Sequence, residues 1–215
     1  MPTTAILSGG KARRFGGRAK AFLPIGGKSI IEHLLETVRC IADDIFIVPR
    51  DSPLYEVLGV PVHQDLLPEA GPLGAIYTAL KASRTSHTLV LAADMPFLSA
   101  SFLEYVLNAG RDVDIAIPRT RDGHQPLCAS YSSSCISAIE RCLSAKALKA
   151  TAVLSETDVR ELGPQEIGPF DPHGTLCFNV NTPADYARAL TLAATQTAQP
   201  TRKSTLDDSS HTYFT

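Results

Sequence analysis

The sequence predicts an α/β domain built on a mostly parallel sheet. Short, continuous apolar runs alternate with stretches of helical periodicity along most of its 215 residues. One run, Thr88 to Ala93, is apolar enough for a doubly buried central strand and ends in a carboxylate, Asp94, where open α/β sheets place their ligands. A second run, Thr4 to Leu7, reads as a buried first strand and opens into a loop with four glycines and five cations between Gly9 and Lys20.

Length and composition bound what the domain can be. The chain fits one sizeable domain, residues 1–193, followed by a polar tail, 194–215, that is poor in apolar side chains. A net charge of −2, with no basic block beyond the opening loop, gives no reason to expect nucleic acid. No apolar run approaches the roughly 20 residues that span a bilayer, so no membrane segment is expected. The first strand starts within a few residues of the N-terminus, so no secretory signal is expected either. Five cysteines, an odd number without a Cys-x-x-Cys pair, argue for reduced thiols in a cytoplasm. Cys128, Cys135 and Cys142 recur every seven residues; without a matching histidine pair this is coincidence or one helix face, not a metal site.

The elements follow in order. In the opening loop, glycines let the backbone turn sharply and approach a ligand, and N–H groups with Arg and Lys side chains suit a polyanion such as a triphosphate. A flexible surface loop with solvated cations fits the same residues. Gly27-Lys28-Ser29 imitates the end of a P-loop, but that motif needs Gly where Phe22 stands. Gly26-Gly27 reads instead as a turn, and Ser29 with Glu32 as a capping box for a helix carrying Ile30, Ile31, Leu34, Leu35 and Val38 on one face. His33 is placed on the helix surface. Asp44 to Val48 and Val60 to His63 are short strands, the latter ending in Gln64-Asp65. Gly71-Pro72 opens a helix, and Gly74 removes a side chain where that helix faces a ligand or another backbone.

Ser99 caps a helix reaching Gly110, Asp114 to Pro118 is a strand, and Arg119 to His124 is a polar loop feeding Gln125 to Tyr131, where a hairpin turn into an ordinary strand fits as well. Ser132 to Ser134 open a helix with Ile136, Ile139, Cys142 and Leu143 on its apolar face, and a short helix and a strand fill Ala145 to Leu162. Asn179 and Asn181 alternate with Val180, so an extended chain points both amides to one face. Thr182, Pro183 and Asp185 then start the last helix as N-cap, N1 residue and first-turn acid. Two uses fit Asp94 equally: capping the turn that follows it, or holding Mg²⁺, which takes one or two carboxylates and completes its shell with phosphate oxygens and water.

The order of these motifs resembles the MobA family of nucleotidyltransferases, which make dinucleotide forms of the molybdenum cofactor. Their loop runs Leu-x-Gly-Gly-x-x-x-Arg-Met-Gly-x-x-Asp-Lys, matched here by Leu7, Gly9, Gly10, Arg14, Gly16 and Lys20. Phe15 replaces the Met and Ala19 the Asp. Gly71-Pro72-Leu73, Asp94-Met95-Pro96-Phe97, Gln125-Pro126-Leu127 and Phe178-Asn179-Val180-Asn181-Thr182-Pro183 match further family stretches.

The resemblance implies a Rossmann-like nucleotidyltransferase fold with three α/β/α layers. It also implies transfer of GMP from GTP to the molybdopterin form of the cofactor, with release of pyrophosphate. Leu7, Ser8, Gly9 and Gly10 would then cradle the nucleotide, Gly71 would border it and Asp65 would contact the guanosine. Arg14 and Lys20 would neutralise the triphosphate, and Asp94 would hold Mg²⁺ with Asn181 as second anchor. Gln125, helped by Arg119, would position the pterin with Asn179 and Asn181. Molybdoenzymes or other cofactor-biosynthesis proteins are the partners such an enzyme would serve. The rival readings are cytidylyl transfer to the pterin, nucleotidyl transfer to a sugar or polyol phosphate, and a non-catalytic nucleotide-binding protein.

Overall fold

The computed structural model of the chain describes residues 2–9, 15, 19–50 and 53–197. Its main sheet contains β1 (Thr3–Ser8), β4 (Asp44–Pro49), β5 (His87–Ala92), β6 (Ile115–Thr120), β7 (Gly123–His124), β8 (Cys128–Ser132) and β9 (Val159–Leu162), in the order β4-β1-β5-β8-β6-β7, with β9 also on β6. The short β2 (Pro24–Ile25) and β3 (Lys28–Ser29) pair apart from it. β1 pairs in parallel with both β4 and β5, and β6 with β9. β8 runs antiparallel to β5 and to β6, which restores β6 to the direction of β5. The sheet is thus mostly parallel, as expected, but the central strand β5 has one antiparallel neighbour. The connection from β6 to β8 is too short for a crossover helix, and only an antiparallel return is open to it.

Among the described residues six α-helices complete the fold: α1 (Ile30–Arg39), α2 (Gly71–Ala82), α3 (Ala100–Ala109), α4 (Cys135–Ser144), α5 (Pro164–Ile167) and α6 (Pro183–Thr197). The period-two alternation of the strands decides the layers. Ile6, Ile47, Leu89 and Leu91 pack on one side with Leu34 and Val38 of α1 and Phe102 and Val106 of α3. Ala5, Leu7, Phe46 and Val90 pack on the other with Leu73 and Ile76 of α2 and Ile139 of α4. The result is the expected α/β/α sandwich. A third cluster joins Leu23, Ile25 and Ile30 to Val180 and Ala189, with Phe15 and Tyr186 packed against it, and so fastens α6 to the hairpin that precedes α1.

Local signals held where they were chemically specific. Gly26 and Gly27 turn the β2–β3 hairpin at positive φ (59° and 90°). Ser29 and Glu32 form the capping box reciprocally. Asp185 accepts from the backbone N–H groups of Asn181 and Thr182 (3.0 and 2.8 Å), and Thr182 Oγ1 accepts from Asp185 N–H (3.1 Å), which caps α6. A Cβ on Gly74 would lie 2.4 Å from the Leu67 carbonyl oxygen, so the missing side chain makes room for backbone.

Other expectations are corrected. His33 is half-buried, and its Nε2 meets the Ile25 carbonyl (2.7 Å), tethering α1 to the hairpin. Val60 to His63 forms a single parallel bridge, Val62 on Ile47, because Pro61 has no N–H to extend the ladder. Of the two readings open for Arg119 to His124, the structure has the hairpin turn, in which Arg119 pairs with His124 and Thr120 with Gly123. Between Ala145 and Leu162, by contrast, the expected short helix and strand are present, as a 3₁₀ helix, Ala150–Glu156, and β9. Cys135 and Cys142 share the buried face of α4, whereas Cys128 belongs to β8. The last helix continues through Thr197, past the Ala194 boundary drawn from composition; residues 198–215 lie outside the described chain.

Candidate functional site

The parallel strands β4, β1 and β5 end along one edge, and the segments that follow them wall a cavity of about 660 Å³. That volume suits a nucleotide-sized ligand. Leu7 and Ser8 at the end of β1, Gly9 just after it and Asp94 after β5 line it, as do Gly71 and Pro72 at the start of α2. Gln125, Asn179 and Asn181 complete the polar lining with Lys20, Arg50, Tyr55 and Asp65. Gly10 and Arg14 lie outside the described residues. Ala19, standing where relatives of the family carry Asp, also lines the cavity.

Three residues far apart in sequence meet at the centre. The Lys20 ammonium donates to Asp94 Oδ2 (2.5 Å) and to Asn181 Oδ1 (2.8 Å). The Lys20 and Asp94 side chains are only 20% and 16% exposed, so the pair is shielded from most of the solvent screening that weakens surface ion pairs. Backbone bonds hold this geometry. Ala93 N–H donates to the Leu7 carbonyl (2.9 Å), fixing the turn after β5 against β1. Val180 N–H donates to the Asp94 carbonyl (3.0 Å), and its buried side chain leaves Asn179 and Asn181 on the cavity side.

The remaining expected residues are held in different ways. Asp65 Oδ1 accepts from Thr78 Oγ1 (2.9 Å) and from Leu67 N–H (3.0 Å), which docks the segment before α2 onto that helix. Asn179 donates its amide to the Cys177 carbonyl (3.0 Å). Gln125 reaches the wall, but its amide nitrogen donates to Thr120 Oγ1 (3.0 Å) and the Gly123 carbonyl (3.3 Å), so the hairpin claims it. Arg119 is not brought to the cavity. It donates to Glu161 (2.9 Å) on the outer sheet edge, where His124 and then Arg119 hold that carboxyl below the usual carboxylate range.

Two polar residues of the wall escaped sequence reasoning, Arg50 and Tyr55. Arg50 immediately follows β4, and the tendency of ligands to sit at carboxyl strand ends was the signal for it. The buried Tyr55 hydroxyl hydrogen-bonds Ser8 Oγ at the mouth of the opening loop; nothing in its local sequence announces that contact.

Chemically, a mostly buried ammonium held by a carboxylate and an amide can place phosphates and offset their charge. Among the described residues no three His, Cys, Asp or Glu side chains converge as a metal cage. Asp94 and Asn181 nevertheless aim two hard oxygens at one cationic point, now the Lys20 ammonium, and such a donor set suits a Mg²⁺ that completes its shell from ligand phosphates and water. The buried thiols do not compete as nucleophiles. The contact with Cys177, together with burial, raises Cys128 well above the thiol range, and burial pushes Cys135 up to about 12.

Comparison with known proteins shows the family. Residues 4–160 match the family described as the MobA-like NTP transferase domain. The molybdenum cofactor guanylyltransferase of Desulfosudis oleivorans is 31% identical over 188 residues, covering 87% of this chain and 93% of that protein. The crystal structure of molybdopterin-guanine dinucleotide biosynthesis protein A from Archaeoglobus fulgidus superposes with a TM-score of 0.77 at 29% identity, covering 90% of this chain and 99% of that one. A 4-diphosphocytidyl-2C-methyl-D-erythritol synthase from Anaerococcus prevotii shares the fold at a TM-score of 0.69 and 14% identity, covering 89% and 95% of the two chains.

Proposed function

The chain belongs to the MobA-like NTP transferase domain family, and from that premise we propose that it transfers GMP from GTP to the molybdopterin form of the molybdenum cofactor, releasing pyrophosphate. The observation that carries the reading is the Lys20 ammonium held between Asp94 and Asn181 at the carboxyl edge of the sheet.

The reaction is displacement at the α-phosphorus of GTP by the terminal phosphate of the pterin, so no protein nucleophile is required. Like charges oppose the approach of one phosphate to another, and the protein's task is to align them and offset their charge. The backbone of Leu7 to Gly9 lies against the triphosphate. Lys20 moves its charge from Asp94 to the phosphates and stabilises the negative charge that builds on pyrophosphate. Asp94 and Asn181 would hold Mg²⁺, which supplies charge neutralisation and orientation of phosphate oxygens when bound. Asn179 and the Gln125 wall border the acceptor side. Five unpaired thiols support work in a reducing cytoplasm, and among the described residues no helix is long and apolar enough to cross a membrane.

The test is binding of GTP, CTP, ATP and UTP with and without Mg²⁺, followed by pyrophosphate release when molybdopterin is added. A GTP preference strengthened by Mg²⁺, with pterin-dependent pyrophosphate release, is the expected outcome. A CTP or UTP preference would move the activity to the cytidylyl or sugar-phosphate branch of the fold, and absence of nucleotide binding would refute the reading.

A further inference from the structure

The cavity has a second charged end that the transfer chemistry does not use. Along the carboxyl edge the order runs from the 61–63 segment through β4 and β1 to β5. Adjacent strands lie about 4.8 Å apart, so the ends of β4 and β5 are separated by about 10 Å. On the functional reading above, phosphates sit at the β5 end with Lys20 and Asp94. The base of the same nucleotide then extends toward the β4 end, where Arg50 and Asp65 line the cavity.

Both residues are anchored yet keep binding capacity. Arg50 N–H donates to the Ser8 carbonyl (2.9 Å), which fixes its backbone beside the nucleotide loop. Its Nη2 donates to Glu69 (3.2 Å), a side chain 90% exposed, and such exposed pairs are weakly held and easily exchanged for a ligand. The rest of the guanidinium fork has no partner among the described residues. Asp65 commits Oδ1 to Thr78 and Leu67, and its Oδ2 has no partner among the described residues.

We infer that Arg50 selects the base: its guanidinium donates to O6 and N7 of guanine, while Asp65, whose contact with the guanosine the family resemblance already implies, accepts from the neighbouring N1–H and N2–H donors. Guanine presents two acceptors on one edge and donors on the next, which match a fork of donors and a carboxylate oxygen. Adenine fails at both places. It turns its N6 amino donor toward the fork and its N1 lone pair toward the carboxylate. This assignment deepens the guanylyl reading and rests on it.

The experiment is calorimetric binding of GTP, 7-deaza-GTP and ATP, with Mg²⁺, to the wild-type protein and to Arg50→Ala and Arg50→Lys. Replacing N7 by C–H leaves one donor of the fork unpaired, so the wild type should bind 7-deaza-GTP about tenfold to a hundredfold more weakly than GTP. Arg50→Ala should bind the two alike, at the weaker level, and narrow the GTP-over-ATP ratio. Arg50→Lys keeps the charge but not the fork and should lose most of the discrimination as well. Equal binding of GTP and 7-deaza-GTP by the wild type overturns the inference and leaves the guanylyl reading standing. So does an Arg50→Ala variant that weakens every triphosphate by one common factor, because a phosphate contact does that. A wild type that binds no triphosphate overturns both. Since the 7-deaza comparison is made on the wild type, misfolding of a variant does not blunt the test.

Discussion

Removing the Lys20 side chain separates what the central ion pair does for folding from what it does for chemistry. In the free protein the ammonium is 2.5 Å from Asp94 and 2.8 Å from Asn181, with four-fifths of its side chain buried. Lys20→Ala therefore strands a mostly buried carboxylate. For well-buried pairs that costs about 3–5 kcal/mol, and the residual exposure here points to the lower end, about 3 kcal/mol. In a domain of this size such a loss lowers the melting temperature by about 6–12 °C. On the proposed mechanism the same side chain faces the charge developing on pyrophosphate, and loss of one such contact lowers kcat by about 10²–10³. The double variant Lys20→Ala/Asp94→Asn divides the two roles. Neutralising Asp94 relieves the stranded charge, so melting should recover most of the lost stability while pyrophosphate release stays at or below the level of Lys20→Ala. The assays are thermal melts and pterin-dependent pyrophosphate release from GTP. If Lys20→Ala and Asp94→Asn each kept turnover within fivefold of wild type, or if the double variant regained activity along with stability, the assignment of Lys20 and Asp94 to the reaction would fall.

Other expectations follow from the same geometry. Thr78→Val removes the hydroxyl that holds Asp65 Oδ1 and should raise KM for GTP about tenfold with little change in kcat, with Thr78→Ser restoring it; an unchanged KM would show that Asp65 needs no such anchor. Gly74→Ala puts a Cβ 2.4 Å from the Leu67 carbonyl and should cost about 1–3 kcal/mol in a denaturant titration, together with weaker GTP binding as the segment before α2 is displaced. Asp114 is held below the usual carboxylate range by the Ser134 hydroxyl and then by the Asp158 N–H (3.0 Å). Its folded-state pKa is depressed, so its stabilisation is fully present above the unfolded carboxylate pKa and is lost as pH falls through the folded value. Asp114→Asn should accordingly destabilise by about 1–2 kcal/mol at pH 7 and progressively less in acid, and a difference constant with pH would contradict it. With a thiol reagent under native conditions, exposed Cys40 should react first, and buried Cys128 and Cys135 only after unfolding; early labelling of Cys135 would contradict the burial that raises it to about 12.

The elements legible in the sequence were those written in local chemistry. Ser29 with Glu32, the Gly26-Gly27 turn and the Thr182-Pro183-x-Asp185 cap each satisfy or redirect backbone groups within a few residues, so no tertiary contact is needed to recognise them. The apolar run from Thr88 to Ala92 announced a strand buried on both faces for the same reason: burial leaves no polar side to alternate with. Asp94 and the paired asparagines were visible as a carboxylate at a strand end and two amides in register.

Tertiary structure decided what those residues meet. Local pattern could not say that β8 would pair against β5 in the opposite direction, because strand direction depends on the length of the connection and not on the strand's own residues. Nor could it say that Asn181 would share Lys20 with Asp94, a meeting made by one backbone bond from Val180 to the Asp94 carbonyl. Arg119 and Gln125 show the converse. Both had the right chemistry for a substrate wall, yet a two-residue hairpin turned one outward to Glu161 and tied the amide of the other to its own turn. Sequence by itself determined the α/β alternation, the caps and the kinds of groups at the carboxyl edge, since these follow from periodicity and short-range hydrogen bonding. Which charges face one another across the cavity was decided only by long-range packing, because Lys20, Asp94 and Asn181 come together through contacts spanning 74 and 161 residues.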